Sequence, residues 1–161
     1  MEDRLKPLAL QLELNERLLL NAIRDFPQDQ WLRRLEDTAN HAAFLALHLL
    51  DARCFMLRLL GIAVSHGFEE VGEDATRLED IPEFPPPMAV AESWRRVNSD
   101  VGSALEEMDP EVLESRAPHE FPVDDSTVFG AIAFLAQHEA YHLGQLGIIR
   151  RAVGLAPLSY S

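Results

Sequence analysis

Leucine and alanine recur along this chain with the period of an α-helix rather than a strand. Leu5, Leu8, Leu12, Leu19, Ala22 and Ile23 fall near i, i+3, i+4 and i+7 and predict a first helix over roughly residues 3–25. Pro7 is tolerable in a first turn, and Pro27 ends the pattern. "QDQWLRRLED" then reads as a short helical connector. A second helix is predicted over about 39–61, capped by Thr38 or Asp37, stopped by Gly61, with Phe44, His48, Ala52, Phe55 and Leu59 on its inner face. The stretch 62–87 is acidic, turn-rich and proline-rich, and reads as a long crossover with little regular structure. A third helix starts at the last of its prolines, where proline suits the first position. Val90, Trp94, Val97, Val101, Leu105 and Met108 keep its stripe, and Pro110 closes it. After an irregular stretch at about 109–124, Asp125 or Ser126 caps a fourth helix that ends at Gly154, with Arg150 and Arg151 complementing its dipole. No run has the period of a strand. The pattern predicts an all-α four-helix bundle, one domain over 1–161, with a long crossover between helices 2 and 3.

Composition narrows the function. The chain is 47% apolar, enough for a core. Its most apolar stretch, "HAAFLALHLLDARCFMLRLLGIAV", is broken by His48, Asp51, Arg53 and Arg58, so it reads as a buried helix and not a membrane span. The first twenty residues mix charge with leucine and do not form a signal peptide. The single Cys54 excludes an internal disulfide and fits a reducing cytoplasm. A net charge of −13 without any basic stripe argues against nucleic acid as a partner and otherwise reads as solubility; the expected partner is a small-molecule substrate.

The candidate chemistry lies in "HEAYH", residues 138–142. Two histidines at i, i+4 are turned by roughly 40° and separated by about 6 Å along the helix, so both imidazoles can reach one metal ion. The match to the zinc-peptidase pattern H-E-x-x-H goes no further. The tail "LGQLGIIRRAVGLAPLSYS" has no His, Asp or Glu for a third ligand, and Gln145 and Ile148 stand where the extended motif needs Gly and His. A third ligand has to come from upstream, among His41, His48, His66 and His119. His66 and His119 fall in predicted loops. His41 lies near a helix start and is expected to be exposed. His48 is mid-helix and is favoured. Three neutral histidines leave open coordination positions, as catalytic metal sites do.

"LALHLLDARCFMLRLLG" resembles the second-helix motif of the DinB-like superfamily, and "FLAQHEAYHLGQLGIIRRAVGL" resembles its fourth-helix motif more closely. The resemblance follows the helix order of the whole chain. It implies an up-down-down-up bundle that binds a divalent metal through His48, His138 and His142 and forms homodimers. It also implies thiol-dependent transferase or isomerase chemistry with a low-molecular-weight thiol. Zn and Ni lead as the metal, with Fe, Co or Mn as alternatives. A metal-dependent hydrolase using water as nucleophile and a non-enzymatic metal-binding bundle are the competing functions.

Among the neighbours of the motif, Glu139 and Gln145 are candidate catalytic residues. Glu139 is a potential general base, but it is rotated roughly 100° from His138 and reads more readily as a solvated or interface carboxylate. Gln145 follows His142 by three residues and can orient a ligand. Asp51, one turn after His48, can accept an imidazole N–H. Tyr141 reads as packing and Cys54 as a small buried hydrophobe.

Overall fold

The computed structural model describes residues 3–37, 39–71, 78, 81 and 83–160. Its helices are α1 (Leu5–Ile23), α2 (Ala42–Leu59), α3 (Pro87–Glu107), a short α4 (Pro110–Glu114) and α5 (Val128–Ala152), with one 3₁₀ turn at Gln28–Gln30. No strand forms among the described residues; one isolated bridge joins Arg116 to Thr127. The four long helices are those the hydrophobic pattern predicts.

Side-chain contacts give the helix directions. Arg4, just before α1, pairs with Glu114 and lies over the Phe129 ring at the start of α5. At the far end, Arg150 of α5 donates to the carbonyls of Ala22 and Arg24. The first and last helices are therefore parallel. His41, at the head of α2, packs edge-on against Phe84, just ahead of α3, and Arg53 bonds Asn98 midway along the two helices. α2 and α3 are therefore parallel to each other. α2 and α5 run oppositely: His48, early in α2, meets His142, late in the motif, while Phe55 further along α2 reaches through Phe121 to Phe134 on an earlier turn of α5. The topology is up-down-down-up.

Several boundaries differ from the sequence reading. The connector is a single 3₁₀ turn, because Trp31 is drawn wholly into the core and its indole N–H donates to the Pro85 carbonyl. α2 starts later than expected. Its cap is His41, whose Nδ1 accepts from the Phe44 N–H, and this buries a histidine that was expected to be exposed. Asp37 does not cap it; the other expected cap, Thr38, lies outside the described residues, as do 72–77, 79, 80 and 82 of the crossover. Pro110 opens α4 instead of only closing α3, with the Asp109 carboxylate accepting from Glu111 N–H. Thr127 caps α5, held by Asp125. Gly61 and Gly154 each take positive φ just past a helix end, as C′ glycines do.

α2 carries most of its burial on Leu45, Leu49, Leu50, Arg53, Cys54, Met56 and Leu57. Phe44, His48, Phe55 and Leu59 form a half-buried stripe at the rim instead of the innermost face expected for them. This difference puts His48 where a ligand can approach it.

Candidate metal centre

The structure brings His48 of α2 together with His138 and His142 of α5. His138 Nε2 lies 3.1 Å from His48 Nε2 and 3.0 Å from His142 Nε2, and one ligand atom from each of the three rings lies within 4.8 Å of the others. All three residues are half-buried. Two imidazole nitrogens each about 2.1 Å from one ion sit about 3.0–3.4 Å apart between right-angle and tetrahedral geometry, so the spacing suits a shared metal.

Burial first, and then neighbouring imidazoles, depress the basicity of His138 and His48. His138 is brought down to about 4 by burial and by His142 and His48. His48 is lowered by burial and by His142, with Asp51 acting against the shift. Both rings are therefore neutral near pH 7, the form in which histidine is a metal ligand. Gln145 settles the tautomer of the third ring. Its Oε1 lies 2.7 Å from His142 Nδ1, so that nitrogen carries a proton and Nε2 is the nitrogen left for a ligand. Hydrogen bonding among the rings cannot satisfy the set, because His138 Nε2 offers one proton or one lone pair to two neighbours. His138 Nδ1 is buried without a partner among the described residues, so only what meets Nε2 sets its tautomer. A cation at the meeting point satisfies all three lone pairs, and the donor set fits a divalent metal.

The other candidates lie elsewhere. Glu139 is not solvated: it is 0% exposed. Its carboxylate accepts from Arg53 Nε and Nη2 and from Asn15 Nδ2. α5 packs against α1 as well as α2, so the direction one residue round from His138 points into the bundle. Asp51 accepts from His66 Nε2 at 2.6 Å instead of from His48. His66 is buried within the loop and ties it to α2 and, through its carbonyl, to Ser93 of α3. His119 is exposed, away from the cluster, with its ring beside Phe55. Tyr141 is 62% exposed and not packed in the core; its hydroxyl accepts from Gln145 Nε2, which completes a Tyr141–Gln145–His142 chain. Cys54 is buried, and burial pushes its thiol up to about 11, so it is a poor nucleophile.

The sequence reading missed the Arg53–Glu139 pair and its two asparagines. The signal was present: Arg53 falls in the most apolar helix of the chain, and Glu139 is the sole acid of α5. A charge at such a depth needs a partner.

Comparison with known proteins gives the family and agrees with the fold. Residues 11–146 match the model of the DinB superfamily. The crystal structure of a DinB-like protein from Bacillus subtilis has a similar fold, with a TM-score of 0.67 over 95% of this chain and 96% of that one, at 13% sequence identity. No curated protein matches the chain. No described helix is long and apolar enough to cross a membrane.

Proposed function

The chain belongs to the DinB superfamily, and from that premise we propose that it is a divalent-metal enzyme that transfers or isomerises through a low-molecular-weight thiol. The observation that carries this reading is the convergence of three imidazoles at the half-open α2–α5 groove. His48, His138 and His142 would hold the ion, with Zn or Ni best suited to an all-imidazole set. When bound, such an ion lowers the pKa of a coordinated thiol or water so that a nucleophile exists near neutral pH. Gln145 keeps the His142 ring in its metal-competent tautomer and orientation. Glu139 is held by Arg53 and Asn15, so we assign it no proton-transfer role. In a transfer, a carbon–sulfur bond forms, the leaving group departs with its electron pair, and the thiol proton passes to solvent. A reducing cytoplasm, in which free Cys54 stays a thiol, is the setting that supplies such a cofactor.

The test is a panel of low-molecular-weight thiols against generic electrophiles, with the wild type beside His138→Ala. Conjugation is expected to need both metal and thiol and to be absent in the variant. Ester or amide hydrolysis without any thiol would replace this reading with a water nucleophile. If neither reaction exceeds the buffer rate, a non-enzymatic metal-binding bundle is favoured.

We also propose a twofold homodimer. Tyr141 and Ile148 lie one heptad apart on the outer face of α5, 62% and 64% exposed, with exposed Gly144 between them. A second copy covers this stripe most simply in an isologous contact. Light scattering at micromolar concentration is expected to give twice the chain mass of 18.1 kDa, and Ile148→Glu to halve it. A single-chain mass for the wild type would contradict the dimer.

A further inference from the structure

One flank of the histidine cluster is aromatic. Phe134 lies one turn before His138 on α5, with ring centroids 6.0 Å apart. Phe121 packs on Phe134 at 5.8 Å, Phe55 of α2 packs on Phe121 at 6.2 Å, and His119 lies 5.8 Å from Phe55. The rings form a continuous wall leading away from the cluster along the α2–α5 groove. None of the three phenylalanines is fully buried; each packs against the core on one side and keeps part of its ring open. Open phenylalanine faces grouped beside a polar site mark a binding surface, whereas scattered exposed apolar residues need no explanation.

The wall is also held in place. Phe121 comes from the loop between α4 and α5, and the Ala117 N–H to Ser126 carbonyl and Val128 N–H to Ser115 carbonyl bonds pin the base of that loop. The loop itself lines a cleft of about 490 Å³ with Arg116, His119 and Phe121 among others. The tilted ring pairs leave faces free to take a further aromatic ring in the same offset manner.

We propose that this wall is a specificity site for the aryl group of the substrate: its ring lies against Phe55, Phe121 and Phe134, and its reacting end reaches the His48–His138–His142 cluster. The substrate class is an electrophile bearing an aromatic ring. This rests on the metal reading of the cluster, and the experiment separates the two. Cobalt(II) is loaded into the protein, and its ligand-field bands report first whether the histidines hold metal. Benzohydroxamate and acetohydroxamate, which offer the same chelating group with and without a ring, are then titrated against those bands. The wild type is expected to bind the aryl compound at least about tenfold more tightly. Phe121→Leu and Phe55→Leu, two independent variants that keep an apolar side chain, are each expected to bring the ratio within about threefold. Their acetohydroxamate affinity and cobalt content should stay at the wild-type level. Equal affinities in the wild type, or a ratio that survives both substitutions, would overturn the aryl site and leave the metal reading standing. Absence of cobalt bands would remove the metal reading, and this proposal with it.

Discussion

Purified protein is expected to hold about one divalent ion per chain, and His48→Ala, His138→Ala and His142→Ala are each expected to reduce that occupancy at least about tenfold, the loss of one good ligand being worth more than 1.4 kcal/mol. The reason is geometric. Nε2 atoms from α2 and α5 meet 3.0–3.1 Å apart at one point, and two remaining imidazoles on one helix make a weaker chelate than three from two helices. His66→Ala and His119→Ala are expected to leave occupancy unchanged, because His66 is committed to Asp51 and His119 lies at the rim beside Phe55. Gln145→Ala is expected to fall between, since it frees the His142 tautomer without removing a ligand. Elemental analysis of the wild type and the six variants after identical dialysis checks the series. Full occupancy in His48→Ala would move the third ligand away from α2's rim.

The second large effect concerns stability. Glu139→Ala is expected to cost about 3–5 kcal/mol, because it leaves the buried Arg53 guanidinium without its counter-charge. Arg53 is 1% exposed and bonds Glu139, Asn98 and the Leu12 carbonyl, with its guanidinium 4.8 Å from the Trp94 ring. Asn15 adds bonds from α1 to Glu139 and to the Ala136 carbonyl. This network joins all four long helices at one level and fixes the rotation of α5 that turns His138 toward α2. Replacing both charges together, Arg53→Met with Glu139→Leu, is expected to recover most of the loss, since no uncompensated charge remains. Urea unfolding of the metal-free proteins measures both. A cost below about 1 kcal/mol for Glu139→Ala would show that the carboxylate is not a central partner.

Much of this was legible in the sequence. The helices announce themselves because apolar residues recur through each at helical spacing over a long enough run, and the prolines and glycines between them act where their backbone chemistry requires. His138 and His142 were legible because i, i+4 spacing alone puts two rings on one side of a helix. His48 needed an argument about depth, and the structure brings it to the pair. Burial around a helix with two packing faces was not legible. Periodicity marks one stripe, but α5 meets α1 as well as α2, so Glu139 looked outward when counted from His138 and in fact points into the bundle, at Asn15 of α1 and Arg53 of α2. The same limit applied to α2, whose apolar residues nearly encircle it; the rim containing His48 could not be told from the innermost face. The loop between α2 and α3 carries no period at all, and nothing in it announced that His66 would be buried against Asp51.

The central claim is that three histidines share one ion, and anomalous diffraction from crystals of the metal-loaded protein tests it most directly. One anomalous peak per chain is predicted, about 2.0–2.2 Å from Nε2 of His48, His138 and His142 together. A peak elsewhere, or a peak bonded to the α5 pair without His48, would contradict the account.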